Sequence, residues 1–249
     1  MLRVYSSIRK SLLAENKTVK YLKYAVGEVL LIMVGIILAL QFQTWNEGRK
    51  LDQQRLELIE NLKADFRNNL EVLEQSSLSI RKKYDDLLLF RQAAAGERND
   101  LSVDELKLLA ANGFGGGYRF QPALGSYRTA LSTGSIGLLK DPILNQLFVN
   151  FEDANVRFQS LAEPNRTLMI HGNALELRKQ LGSIYALLGM EHYKPEVFSL
   201  SNQQYRELIA QKEVYGIFEA KSEAARRMSD IMVQLKEITE QILTALEAF

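Results

Sequence analysis

The chain has 249 residues, 47% of them hydrophobic and 24% charged, with 31 basic side chains against 30 acidic. This is ordinary globular composition, which argues against wholesale disorder and against a polytopic membrane protein, and four prolines and 15 glycines are too few for a fibrous or low-complexity chain. The absence of cysteine excludes disulfides, thiolate metal sites and cysteine nucleophiles, and a net charge of +1 makes no general case for nucleic acid.

The charge is unevenly spread. Residues 1–27 hold Arg3, Arg9, Lys10, Lys17, Lys20 and Lys23 against Glu15 alone, a net of +5, which leaves −4 for the remainder. Within this basic region Leu2, Val4, Tyr5, Ile8 and Leu12 recur at helical spacing, a pattern suited to an anionic membrane surface and equally to a short solvated tail. An uninterrupted apolar run, Val29 to Leu40, follows. Its twelve residues cover only about 18 Å, too little for a ~30 Å hydrocarbon core. Extending it from Tyr24 to Trp45 gives roughly 32 Å. Tyr21 and Tyr24 then mark one interface and Trp45 the other, as in an aromatic belt. Residues 21–45 are therefore predicted to form one transmembrane helix, with Asn16 or Thr18 as N-cap. A buried core helix and a cleaved leader are the competing readings; the long basic region and the poor site at Ala39-Leu40-Gln41 argue against cleavage. The positive-inside rule puts the tail, residues 1–20, in the cytoplasm and residues 46–249 across the inner membrane, in a periplasm.

Glu28 needs an explanation, because it falls about one turn, ~6 Å, inside the interface marked by Tyr24. At about 100° per residue, Tyr21, Glu28, Gly35 and Ala39 fall within about 20° of one line, with Tyr24 and Phe42 close by. Gly35 and Ala39 form a small-xxx-small pair that permits close helix approach. The stripe Glu28–Gly35–Ala39 thus suits a helix–helix contact in the membrane, with Glu28 paired to Lys20 or Lys23 of a neighbour or hydrogen-bonded by Tyr24. A snorkelling glutamate without a role, and a proton-carrying carboxylate, are the alternatives.

Beyond Trp45 the pattern stays helical. Ile59, Leu62, Phe66, Leu70, Leu73, Ser77, Ile80, Tyr84 and Leu87 step by three or four, and no proline or glycine occurs from Leu51 to Ala95. The membrane helix is predicted to continue as a rod through residues 51–95, its seam weakened by Asn69 and Ser76-Ser77. Gly96 to Asp100 is a turn, and Ser102-x-x-Glu105 is a capping box opening a short helix to Ala111. The glycine-rich run Gly113 to Gly117 lacks the following Lys-Ser/Thr of a phosphate loop and is read as a flexible connection. Residues 118–125 are expected to be extended.

A short helix from Tyr127 is stopped at Gly134, and Asp141-Pro142 opens another with an N-cap and an N1 proline. Ile143, Leu144, Leu147, Phe148, Phe151, Ala154, Phe158 and Leu161 mark its buried face, and Pro164 is expected to kink or restart it. The pattern resumes through Leu168, Leu175, Leu181 and Ile184, and Gly189 to Ser201, with His192 and Pro195, reads as a loop. Helices are predicted from Asn202 to Tyr215 and from Gly216 to the end. The last carries an unbroken four-three repeat, Ala224, Met228, Ile231, Leu235, Ile238, Ile242, Ala245 and Phe249, and should pack antiparallel to the 51–95 rod. The expected class is all-α: a membrane helix continuing into an extracytoplasmic helical bundle with long coiled-coil-like helices.

The stretch Asn16-Lys17-Thr18-x-Lys20-Tyr21-Leu22-Lys23-Tyr24-Ala25-x-Gly27-Glu28, with Gly35-Ile36-x-Leu38-Ala39-Leu40 and Trp45-Asn46-Glu47, resembles the opening of a bacterial family of single-span membrane proteins known only as a domain of unknown function. Ser126-Tyr127-x-x-Ala130-Leu131-x-Thr133-Gly134-x-Ile136-x-Leu138-Leu139-x-Asp141 resembles that family's central motif. The resemblance implies an N-terminal anchor and a helical extracytoplasmic domain, makes Gly27-Glu28 and the Tyr127–Asp141 turn family features, and brings no activity with it.

No set of residues forms an active site by spacing. His171 and His192 lack metal-site spacing, adjacent Glu152 and Asp153 point to different helix faces, and Ser126, Ser132, Thr133 and Ser135 have no histidine near them in sequence. Arg226-Arg227 is read as a solvated face. No catalytic residue, metal or cofactor is expected. The reading is a non-enzymatic, membrane-anchored helical scaffold or accessory subunit of an envelope complex, acting through homo-oligomerisation or docking on another inner-membrane protein. Its rivals are an extracytoplasmic ligand sensor that signals through a membrane partner, since the short tail holds no output domain, and a stator-like subunit of an ion-driven machine using Glu28.

Overall fold

A computed structural model describes residues 18–114, 118–170, 177, 180–181 and 200–249. The elements are α1 (Thr18–Ala94), α2 (Val103–Phe114), α3 (Gly125–Thr133), a 3-10 turn (Ser135–Leu138), α4 (Pro142–Ile170), α5 (Asn202–Ile209) and α6 (Lys212–Glu247). The all-α class expected from the periodicity is the class found, with no strand among the described residues. The chain divides into two units, Met1–Glu57 and Leu58–Phe249.

Helix boundaries follow local chemistry. α1 ends at Ala94, and Gly96 follows with φ 79°, a left-handed conformation that glycine adopts without a Cβ clash. The Ser102 N–H donates to Glu105 Oε2 at 2.7 Å and the Glu105 N–H donates back to Ser102 Oγ at 3.2 Å, which closes the capping box. Gly134, at φ 74°, caps α3 with its N–H on the Leu131 carbonyl. Asp141 Oδ1 accepts from the N–H groups of Ile143 and Leu144 at 2.8 and 3.0 Å, while Pro142, with no N–H to satisfy, occupies the first helical position. Ser201 and Gln204 form a second capping box at the start of α5.

In the second unit, α1 from Leu58 onward packs against α4 and α6. Arg67 faces Glu247, Glu74 faces Lys236 and Phe90 stacks on Phe218, so α6 runs antiparallel to α1, as its repeat suggested. α4 packs along α6, with Arg157 donating to Gln234. Phe66 meets the rings of Phe148 and Phe151. One core surrounds Phe66, Leu73, Phe148, Phe158, Met232 and Leu235; a second gathers Phe90, Leu106, Leu181, Tyr205, Ile209 and Phe218.

Residues 118–124 carry no helix or strand and are pinned along α1. Ser76 Oγ donates to the Arg119 carbonyl, and Asp65 Oδ2 accepts from the Ser126 N–H at 2.9 Å. Asn69, fully buried, donates to the Ala123 carbonyl at 2.9 Å and accepts from the Ala123 N–H at 2.6 Å. The side chain that looked like a flaw in an apolar seam satisfies both backbone groups of a half-buried non-helical residue.

Packing corrects the expected pattern in five places. α2 runs to Phe114, not Ala111, because Gly113 is seated where a Cβ would lie 2.6 Å from Leu87 Cδ2 and 3.4 Å from the Phe218 ring. Ile143 is 73% exposed: it sits in the first turn of α4, before the helix meets its neighbours. α4 continues across Pro164 to Ile170 without restarting. The break between the last helices falls at Ala210-Gln211, not Gly216, because Val214 and Phe218 are both buried and hold the intervening turn. Finally, the core face of α6 is Ala225, Met228, Met232, Leu235, Thr239, Ile242 and Leu246. The 228–235–242 ladder is the expected one, but its companion is shifted by one residue. Ala224, Ile231, Ile238 and Ala245 flank the core half-buried, and Phe249 is exposed. Buried Thr239 fits the inner position by donating its hydroxyl to the Leu235 carbonyl at 2.7 Å.

The basic tail pattern of residues 2–12, the Asn16 cap, glycines 115–117, Leu175, Ile184, His171, His192, Pro195 and most of the Gly189–Ser201 loop lie outside the described residues.

The shifted seam can be tested by chemical denaturation of the full chain in detergent. Met232→Ala is expected to cost about 2–5 kcal/mol and Ile231→Ala about 1 kcal/mol; the reverse order restores the repeat read from the sequence. In the same assay Asn69→Ala, which removes the partner of both Ala123 backbone groups, is expected to cost about 1–3 kcal/mol, while exposed Asn68→Ala stays within about 0.5 kcal/mol of the parent.

Candidate functional site

The opening of α1 is apolar on all sides and bare. Leu30, Ile32, Val34, Ile37 and Leu40 are each half or more exposed, so nothing described in the chain covers them. A helix satisfies its own backbone hydrogen bonds, so such a segment is stable in hydrocarbon or against another helix but costly in water. It is a candidate membrane span by length and composition.

Within it, Glu28, Gly35 and Ala39 are all exposed, and a Cβ on Gly35 would meet no atom within 4 Å. Helical geometry places the three on one line, as expected, and no described residue covers them. Among the described residues no side chain hydrogen-bonds Glu28, Tyr24 included. Tyr24 is exposed, and the Tyr21 side chain lies outside the described residues. At the other end Trp45 packs on Phe42 with ring centroids 5.7 Å apart, and the Arg49 guanidinium lies 5.2 Å from the Trp45 ring. The Thr44 hydroxyl folds back onto the Leu40 carbonyl at 2.9 Å, and Gln43 donates to Glu47. Polar chemistry therefore begins where the apolar run ends, with an aromatic and a cation at the boundary.

The second unit uses its reactive-looking side chains for turns and ion pairs. Ser132 donates to the Thr129 carbonyl, and the Thr133 hydroxyl bonds the same carbonyl and Ser135 Oγ. Asp153 is exposed whereas Glu152 is half-buried near Tyr127, whose hydroxyl pKa is raised by burial and by that carboxylate. Arg226 forks onto Glu223 and reaches Asp230, and Arg227 also binds Glu223. These hydrogen bonds, Arg226 first, hold the Glu223 carboxyl down to about 2. Among the described residues no group of three His, Asp or Glu side chains could hold a metal ion.

One feature had no local signal in the sequence. Residues 118–122 and α4 enclose an open cleft of about 650 Å³, lined by Arg119, Arg128, Asn155, Gln159 and Glu163. Gln159 Nε2 donates to the Phe120 carbonyl at 2.7 Å and ties the cleft's two walls together. Tyr118 lines this cleft and a smaller one of about 300 Å³ beside Ser76, Ser79 and Lys83. Lys83 Nζ lies 4.7 Å from the Tyr118 ring centroid. The Tyr118 hydroxyl is buried with no hydrogen-bond partner among the described residues, and burial pushes its pKa up. The cleft is assembled from residues about forty positions apart, brought together by the Asn69 and Ser76 pins, so spacing could not reveal it.

Residues 28–157 match a family described as a family of unknown function (DUF6090). The matched stretch begins at Glu28 and includes the Gly35–Leu40 and Trp45–Glu47 motifs and the Tyr127–Asp141 turn; the Asn16–Gly27 part of the resemblance precedes it. No curated protein and no solved structure matches the chain.

Tyr118→Phe removes a buried hydroxyl that has no partner. The melting temperature of the purified chain is expected to stay level or rise, by the equivalent of about 1 kcal/mol; a clear fall would mean that the hydroxyl is hydrogen-bonded in solution.

Proposed function

The chain belongs to this family of unknown function, and we propose that it is a single-span membrane protein that acts by association, as a non-enzymatic scaffold or accessory subunit of an envelope complex. Residues 21–45 are the anchor, residues 1–20 a cytoplasmic basic tail and residues 46–249 a periplasmic helical bundle. The observation that carries this reading is the uncovered apolar opening of α1, which needs a bilayer around it.

The stripe Glu28–Gly35–Ala39 is the docking edge. Gly35 leaves a concavity where a second helix backbone can approach closely, and van der Waals contact there has no counterpart in lipid chains. Glu28 on the same line finds a partner across that contact, from Lys20, Lys23 or Tyr24 of the neighbouring helix, which offsets the cost of a carboxylate one turn inside the interface. The occupant is a second copy of the chain or another inner-membrane protein. Tyr24, Tyr21 and Trp45, with Arg49 beside Trp45, hold the helix at a fixed depth.

Light scattering of the detergent-solubilised protein is expected to give a mass above one protomer. Gly35→Leu is expected to lower it to the protomer and leave the far-ultraviolet helical signal unchanged; an unaltered mass removes the stripe. Glu28→Gln separates this reading from the stator-like one. Weakened assembly supports the packing contact, whereas intact assembly with loss of ion-driven activity supports proton handling.

A further inference from the structure

We propose that the cleft between residues 118–122 and α4 binds a small soluble oxyanion, a carboxylate or phosphate ester with a modest apolar part. The inference is independent of how the anchor associates.

The argument begins with the arginines of the second unit. Arg67, Arg81, Arg98, Arg226 and Arg227 each have an acid within 4 Å. Arg91 donates to Ser222, Arg157 to Gln234 and Arg206 to the Leu101 carbonyl. Among the described arginines of the second unit, Arg119 and Arg128 are the two whose guanidinium groups have no such partner, and both line the cleft. A guanidinium presents a rigid fork of N–H donors that matches a carboxylate or phosphate two bonds at a time. Two of them at one concavity form an anion site in want of an anion.

The rest of the lining agrees. Asn155 Oδ1 accepts from Gln159, which leaves the Asn155 amide N–H groups available as neutral donors. Lys83 lines the smaller neighbouring cleft, with its Nζ 4.7 Å from the Tyr118 ring centroid. The cleft's one acid, Glu163, is engaged in a contact of its own. The volume of about 650 Å³ falls within the ~300–1,000 Å³ typical of small-molecule sites. Tyr118 lines both clefts and offers ring surface to an organic anion, while its hydroxyl is buried. Arg119 is moreover held in place by its own backbone, since its carbonyl accepts from Ser76 Oγ on α1. Occupancy of the cleft is thereby linked directly to the long helix.

Isothermal titration of the full chain in detergent, at fixed ionic strength, tests this with three probes: inorganic phosphate, phenyl phosphate and citrate. Saturable binding of phenyl phosphate or citrate is expected, with at least a tenfold loss of affinity in Arg119→Ala/Arg128→Ala. Both residues are exposed, so the double variant is expected to keep the parent's circular dichroism and melting temperature. The control Arg226→Ala/Arg227→Ala, which removes paired cations elsewhere, should bind as the parent does. Absence of saturable binding by all three probes overturns the proposal, as does undiminished affinity in the Arg119/Arg128 variant.

Discussion

One backbone hydrogen-bond ladder runs from Thr18 to Ala94, and the burial of its side chains changes character at Leu58. Up to Trp45 apolar residues occupy every side and lie uncovered; from Leu58 they occupy a stripe, and Ile59, Leu62, Phe66 and Leu73 vanish into a core. The ladder tolerates both regimes because a helix needs no outside partner for its peptide groups. The second unit is built on the later part of this ladder. α6 returns along it, α4 wedges phenylalanines against Phe66, and the chain between α2 and α3 is laid down on it.

That last arrangement depends on polar side chains placed on α1. Asp65, Asn69 and Ser76 stand on the rod about one to two turns apart, and each takes a backbone group from residues 119–126. Irregular chain can be buried only if its N–H and C=O groups are satisfied, and here the helix supplies what a sheet neighbour would otherwise supply. The cost in apolar burial along the seam is offset by fixing a segment that would otherwise lie in solvent. The cleft beside Tyr118 and Arg119 is a consequence, because the pinned segment and α4 diverge around Gln159.

The two candidate surfaces draw on different physics. In the association proposed above, the Glu28–Gly35–Ala39 stripe would act by close approach between helices in a medium that offers no hydrophobic drive, where small residues and a paired charge decide. The Arg119–Arg128 cleft faces water, where an unpaired guanidinium is well solvated; in the proposed site it is geometry, the concavity and the fork, that would make an oxyanion competitive with water.

Local chemistry was enough to place most of the elements. The absence of glycine and proline from 51 to 95 meant one long helix; Ser102 with Glu105, Gly134, and Asp141 with Pro142 marked boundaries that the structure keeps, because caps are satisfied by residues three or four positions away. The candidate membrane span was equally visible, since composition alone sets transfer free energy. What depended on contacts distant in sequence was not visible. On α6 adjacent apolar pairs, Ile231 with Met232 and Ala245 with Leu246, allow two seams of equal period, and only the docking of α1 and α4 chooses the inner one. Gly216 and Pro164 look like breaks, yet α4 runs on through the proline, and burial of Val214 and Phe218 on either side of Gly216 outweighs a propensity cost of about 1 kcal/mol for the glycine. Asn69 reads as a flaw until Ala123 is placed beside it, and Arg119 reads as a lone surface cation until α4 brings the opposite wall of a cleft. Pattern along the chain determines which residues turn inward; which groups meet there is decided when the helices pack, because those distances are properties of the whole fold.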